Sequence, residues 1–214
     1  MPIHRRRILL ASFFSATLVA CGRGKPKLAA IPPGATVLAL GDSITFGTGA
    51  TPETSYPTVL AGLTGWQVVN AGIPGDTSAG ALARLPALLQ EHTPKLVIVS
   101  IGGNDFLRRL SMSDTRANIR SICQQAAASG AQVLLVGIPE VSAVAALARS
   151  LSDHAMYEEL GKELKVTLHP KGWAAVLSDP SLRSDPIHAN AQGYAKFAQG
   201  LADTAKDAGL WAGR

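Results

Sequence analysis

Residues 36–47 read Thr36–Val37–Leu38–Ala39–Leu40–Gly41–Asp42–Ser43–Ile44–Thr45–Phe46–Gly47. The first five form an apolar run without alternation. Such a run suits a strand covered on both faces, as in the middle of a parallel sheet. A glycine and two short polar residues follow it directly. The same grammar recurs along the chain. Trp66–Asn70 precedes Ala71–Gly72, Leu96–Ser100 leads to Gly102–Gly103–Asn104–Asp105, and Gln132–Val136 precedes Gly137. Val166–Leu168 is a fifth, short candidate strand. Helical patterns lie between these runs: Tyr56, Val59, Leu60 and Leu63; Ala79 to Gln90; Asp114 to Ala128; Asn190 to Ala208. The alternation predicts an α/β sandwich built around a central parallel sheet. In such folds ligands bind beyond the carboxyl ends of the strands. The turns after the first three strands are therefore expected to converge on one rim.

The chain has 214 residues, which suits one domain with a full core. With 47% hydrophobic and 16% charged residues, a disordered bulk is excluded. No repeat at a fixed period is visible, which argues against a solenoid. The net charge of +5 is unevenly placed. Arg5, Arg6, Arg7, Arg23, Lys25 and Lys27 are basic, and no acid occurs before Asp42. From Leu28 onward, 14 basic residues face 15 acidic ones. The body thus lacks the basic face that binding nucleic acid requires.

The basic N-terminus reads as an export signal. His4–Arg5–Arg6–Arg7 precedes an uncharged, mostly apolar run from Ile8 to Ala20. A spanning helix needs about 20 apolar residues, so this run is too short and fits a signal-peptide core. It ends Leu18–Val19–Ala20–Cys21–Gly22, which resembles a bacterial lipoprotein signal. That resemblance implies cleavage before Cys21 and lipidation of its thiol. An ordinary secretory signal with an incidental cysteine is the alternative. The reading divides the chain into a signal peptide (1–20), a flexible tether (21–34) and one domain (35–214). Cys123 would then be the only free thiol. It lies on the apolar stripe Ile119, Ile122, Cys123, Ala126 and reads as a core residue.

Gly41–Asp42–Ser43 places a hydroxyl directly after a buried strand. A serine needs a base to act as a nucleophile. Asp185–Pro186–Ile187–His188 supplies an acid and an imidazole three residues apart, as on one side of a helical turn. The carboxylate can hold Nδ1 and leave Nε2 to take the serine proton. Pro186 suits the first position of such a turn, with Asp185 as its cap. A developing oxyanion needs fixed donors. The candidates are the Ser43 N–H, the Gly72 N–H, where a missing side chain leaves room for substrate, and the Asn104 side-chain amide. Ser43 alone would equally suit a helix start; His188 and Asn104 in the same chain favour the nucleophile.

Four blocks, Gly41–Asp42–Ser43, Asn70–Ala71–Gly72, Gly102–Gly103–Asn104–Asp105 and Asp185–Pro186–Ile187–His188, occur in order across residues 36–200. In them the chain resembles the SGNH, or GDSL, hydrolase superfamily. Gly75–Asp76–Thr77–Ser78 and the following Leu82–Ala83–Arg84–Leu85–Pro86 are similar to bacterial multifunctional thioesterases and arylesterases. The resemblance implies a flavodoxin-like three-layer α/β/α fold and hydrolysis through an acyl-serine. It makes Ser43 the nucleophile, His188 the general base and acid, and Asp185 its orienting partner. Ser43, Gly72 and Asn104 form the oxyanion hole, and no metal or organic cofactor is implied. Ile44 stands where the family name has leucine. Gly72 stands where the thioesterase subgroup is expected to have serine. The segment Ile138–Ser152, with Val141, Val144, Leu147 and Leu151, differs in character from the part of that subgroup that shapes an acyl channel.

Other features read as structural. Asp42 and Asp105 brace loops, and Asp76 with Thr77 caps a helix starting near Ser78. His92, His154 and His169 are expected on the surface or in loops. No histidine and cysteine spacing fits zinc, and Thr45 breaks the G-x-S-x-G elbow. The chain is thus expected to be an exported hydrolase of small acyl esters or thioesters, anchored through Cys21 at the periplasmic face of an outer membrane. An O-acetyl esterase acting on glycans is the alternative substrate reading. A non-catalytic lipoprotein that binds acyl groups or a partner is the alternative of another class.

Overall fold

The computed structural model describes residues 28–140 and 151–213. Five strands form one sheet: β1 (Thr36–Gly41), β2 (Gln67–Gly72), β3 (Leu96–Ser100), β4 (Gln132–Val136) and β5 (Thr167–His169). Their order is β2-β1-β3-β4-β5 and every pairing is parallel. β1 and β3 are the most deeply set. Val37, Leu38, Ala39, Leu40 and Leu96 to Val99 have no exposed surface, which is why their sequence shows no alternation. β2 lies at one edge and is only half-buried.

The helices among the described residues are α1 (Ser43–Phe46), α2 (Tyr56–Thr64), α3 (Ser78–His92), α4 (Gly103–Leu107) and α5 (Met112–Ala128). They continue with α6 (Ala155–Leu164), α7 (Gly172–Leu177) and α8 (Ala191–Asp207). α3 packs on α5 and α5 on α6; α2 and α7 pack on α8. The two groups sandwich the sheet. Cys123 is buried in the core, and burial pushes its thiol up to about 12.

One boundary and one side-chain placement differ from the sequence reading. The domain begins before residue 35. Ile31 is buried in the core, its N–H donates to the Leu210 carbonyl at 2.8 Å, and its own carbonyl accepts Trp66 Nε1 at 3.1 Å. The apolar Ile31 side chain draws this part of the assigned tether onto the body. His169 is neither exposed nor in a loop. It ends β5 at 6% exposure, meets Phe197 edge-on, and bonds Thr204 Oγ1 through Nδ1 at 2.7 Å. Burial lowers its pKa to about 4, so the ring is neutral. The proposed signal, Cys21, and Val141, Val144 and Leu147 lie outside the described residues.

Trp173 anchors the layer under α8. It has no exposed surface, stacks on Phe197, meets Tyr56 and Tyr194 edge-on, and donates Nε1–H to Ser100 Oγ at 3.1 Å. Trp173→Ala should lower unfolding stability by about 3–5 kcal/mol, read from urea midpoints. A loss below about 1 kcal/mol would contradict this packing.

Candidate active site

The parallel pairing of β1 with β2 and β3 brings their carboxyl ends together: Gly41 lies opposite Gly72 on one side and Ser100 on the other. The chain leaves β1 in one direction for β2 and returns on its other side for β3. In an open α/β sheet that switch point opens a crevice. Ser43 begins α1 directly after β1. Asp42 caps that helix, its Oδ1 accepting the Ile44 N–H at 3.0 Å. Asn104 lies in α4, just after β3.

The loop before α8 completes the arrangement. His188 Nε2 lies 2.9 Å from Ser43 Oγ, and His188 Nδ1 lies 2.7 Å from Asp185 Oδ2. Asp185 and His188 are not on a helical turn. Asp185 Oδ1 accepts the N–H groups of Ile187 and His188, at 2.9 and 2.8 Å, and folds a non-helical bend. This local bonding is available to a short Asp side chain without a helix. Partial burial raises the Asp185 pKa, but the His188 hydrogen bond and the Ile187 N–H outweigh it, and the carboxyl lies below its ordinary range. Asp185 is therefore a carboxylate at neutral pH, able to hold the imidazole tautomer that leaves Nε2 facing the hydroxyl.

The set of candidate oxyanion donors changes at one position. Gly72 is a glycine because α1 packs against it: a Cβ there would lie 2.1 Å from the Phe46 nitrogen. The space is filled by backbone and gives no approach for substrate. The Gly72 N–H also donates to Asn70 Oδ1 at 3.0 Å. In the same loop the Ile73 N–H bonds Gly41, the Asp76 N–H bonds Ile73, and the Thr77 N–H bonds Asp76 Oδ1. Pro74 has no N–H. Gly75, at φ +79°, is left with an N–H that meets no acceptor among the described residues. Motif reading passed over Gly75, because only the bonding of its neighbours singles it out. Asn104 donates one Nδ2 hydrogen to the Asp76 carbonyl at 2.9 Å and keeps the other. The Ser43 N–H opens α1, so it has no intrahelical partner.

Ser43, Asn104 and His188 line one cleft together with Ile44, Leu107, Ile138, Pro139, Leu177 and Ile187. Of the six large apolar side chains exposed on the described surface, Phe46, Ile73, Leu107, Leu110 and Met112 belong to segments on this rim. Asp105 is buried beneath it. Its carboxylate accepts the Ser78 N–H and hydroxyl, at 2.9 and 2.6 Å, and the Thr115 hydroxyl at 3.2 Å. It thereby ties α4 to the start of α3. Thr77 caps α3, accepting the Gly80 N–H. Among the described residues no three His, Cys, Asp or Glu side chains gather to hold a metal.

Residues 39–196 match the family described as GDSL-like Lipase/Acylhydrolase. The chain is 38% identical over 162 residues to "Thioesterase 1/protease 1/lysophospholipase L1" of Escherichia coli K12. That match covers 72% of this chain and 76% of the relative. It is 45% identical over 108 residues to "Esterase TesA" of Pseudomonas aeruginosa, 48% of this chain and 54% of that one. A solved TesA structure superposes with a TM-score of 0.70 at 34% identity, over 81% of this chain and 99% of that one.

Asp42 sits below Ser43, 5% exposed. Burial raises its pKa to about 6 from 3.8; the Ile44 N–H and His188 pull it down, and Asp76 and Asp105 add to the rise. A carboxyl whose folded pKa is raised binds its proton more tightly when folded. Its contribution to stability is fully present below about pH 4 and is lost as pH rises to about 6. The shift corresponds to about 3 kcal/mol. Asp42→Asn should therefore gain stability relative to the parent by up to that amount between pH 4 and 6.5, in denaturant titrations at each pH. A difference independent of pH would contradict the assignment.

Proposed function

We propose that this chain, which belongs to the GDSL-like lipase/acylhydrolase family, is an exported serine hydrolase that cleaves acyl esters or thioesters through an acyl-serine intermediate. The observation that carries the reading is the unbroken line Asp185–His188–Ser43, with contacts of 2.7 and 2.9 Å.

In the first step Ser43 Oγ attacks the acyl carbonyl while its proton moves to His188 Nε2. Asp185 stabilises the imidazolium that forms. The carbonyl oxygen becomes an oxyanion held by the Ser43 N–H, the second Asn104 Nδ2 hydrogen and the Gly75 N–H. When the tetrahedral intermediate collapses, the bond to the leaving alcohol or thiol breaks and that group takes the proton from His188. Water then enters, gives a proton to His188 and attacks the acyl-serine. The acid leaves, and the proton returns to Ser43 Oγ.

The apolar cleft lining and rim support a hydrocarbon acyl group as the part of the substrate that is bound. The relatives are named for thioesterase, lysophospholipase and esterase activities, which fit the same chemistry. Export rests on the basic and apolar N-terminal sequence, and an outer-membrane lipoprotein facing the periplasm follows if Cys21 is lipidated.

Ser43→Ala should lower kcat on a p-nitrophenyl ester by at least ~10³, and Asn104→Ala by ~10²–10³ with KM little changed. Full activity in folded Ser43→Ala would refute the reading. A kcat/KM that rises from acetyl to longer acyl esters is expected. A preference confined to acetyl esters would instead favour glycan O-acetyl groups as substrate.

A further inference from the structure

Arg84 lies in α3, away from the Ser43–His188 pair, and its guanidinium is mostly buried. Its side chain is 20% exposed and that of its partner Asp76 is 11% exposed. Three different groups take its hydrogens. Nε donates to Asp76 Oδ2 at 2.9 Å, Nη1 to the Ala71 carbonyl at 2.8 Å, and Nη2 to the Gly41 carbonyl at 2.9 Å. Gly41 ends β1, directly before Asp42–Ser43. Ala71 is the penultimate residue of β2. One planar cation thus clamps the ends of two strands and the turn that follows the second.

Asp76 passes that constraint on. Its Oδ1 accepts the Thr77 N–H and its Oδ2 accepts Arg84, so both carboxylate oxygens are engaged. Its N–H closes the turn on Ile73 that contains Gly75, and its carbonyl accepts one Nδ2 hydrogen of Asn104. A side-chain amide is planar. Once one of its N–H bonds is fixed on the Asp76 carbonyl, the direction of the other is fixed as well. The aim of the Asn104 donor therefore depends on where the Asp76 carbonyl sits, and Arg84 holds Asp76 there. A donor aimed before the charge develops is the condition for oxyanion stabilisation.

We propose that Arg84, with Asp76, is a positioning pair that sets the oxyanion donors Asn104 and Gly75, distinct from the residues that touch substrate. The proposal rests on the hydrolase reading of the site. A lysine at position 84 would keep the charge but not the fork, because an ammonium on a flexible stem cannot hold three divergent acceptors in one plane.

The test compares the full-length protein with Arg84→Lys, Arg84→Met and Asp76→Asn, measuring kcat and KM on a p-nitrophenyl ester and inhibition by an acyl trifluoromethyl ketone. That inhibitor forms a tetrahedral adduct whose oxygen sits in the oxyanion hole. Both Arg84 variants should lose ~10- to 100-fold in kcat with KM within about threefold, the scale of a donor misplaced by about an ångström. Ketone inhibition should weaken by a similar factor. In the Asn104→Ala background, Arg84→Lys should cost several-fold less than it does in the parent, since one of the two donors it aims is gone. Arg84→Lys keeps the charge and Asp76→Asn keeps the shape, so the test stands if Arg84→Met fails to fold. Wild-type kcat in folded Arg84→Lys, a loss confined to KM, or losses that add fully with Asn104→Ala would each overturn the proposal. Ser43→Ala is run alongside: if it stays active, the hydrolase reading fails, whereas an inactive Ser43→Ala with indifferent Arg84 variants removes only the positioning role.

Discussion

β1 pairs in parallel on both sides, with β2 from Thr36↔Gln67 to Gly41↔Gly72 and with β3 from Val37↔Leu96 to Gly41↔Ser100. Parallel strands all end at the same edge of the sheet. The chain must therefore deliver the turn after β1, the loop after β2 and the start of α4 to one rim, whatever their sequences. The double-sided burial that makes Val37 to Leu40 so apolar also makes β1 a rigid base for Ser43. The loop from Arg183 to Ala189 only has to reach across to that rim. An antiparallel bridge between those two residues and the bonds from Asp185 give it a fixed shape. Ser43 and His188, 145 residues apart in sequence, are held at 2.9 Å by these separate supports.

Two carboxylates near Ser43 have opposite environments, and this separates their roles. Asp42 is enclosed, and its proton is held more tightly than that of an ordinary aspartate. Asp185 is partly exposed and bonded by His188 and two backbone N–H groups, so it ionises more easily. In the proposed mechanism the group that stays negative opposite an imidazolium is Asp185, the one in that environment. Asp42 instead caps α1, where a short acceptor is needed whatever its charge. Asp105 and the Arg84–Asp76 pair lie one layer further out and tie α3, α4 and the strand ends together.

Much of this was legible in the sequence for a physical reason. β1, β3 and β4, buried on both faces, appear as unbroken apolar runs, and the runs read for all five strands end within two residues of the observed strands. Long amphipathic helices such as α5 and α8 declare themselves by period. α7 has six residues, too few to show one, and α6 carries Glu158, Glu159, Lys162 and Glu163 on a short element. The motif blocks point to Ser43, Asn104, Asp185 and His188, and the structure brings Ser43, Asn104 and His188 into one cleft, with Asp185 bonded to His188 Nδ1. Contacts between elements were less legible. Nothing in Asn70–Ala71–Gly72 reveals that Asn70 takes the Gly72 N–H, or that the Phe46 backbone fills the space beside Gly72. Arg84 reads as an ordinary helix cation until its three acceptors are seen. His169 reads as a surface or loop residue, because a three-residue strand gives no alternation to show its burial.

The central claim is that Ser43 is an activated nucleophile, and a fluorophosphonate probe tests it most directly. The protein is treated with the probe, digested, and the adduct located by mass spectrometry, in parallel with His188→Ala. The account predicts one adduct, on Ser43, lost or strongly slowed in the variant. A folded protein that stays unlabelled at Ser43, or labels there equally well without His188, would contradict it.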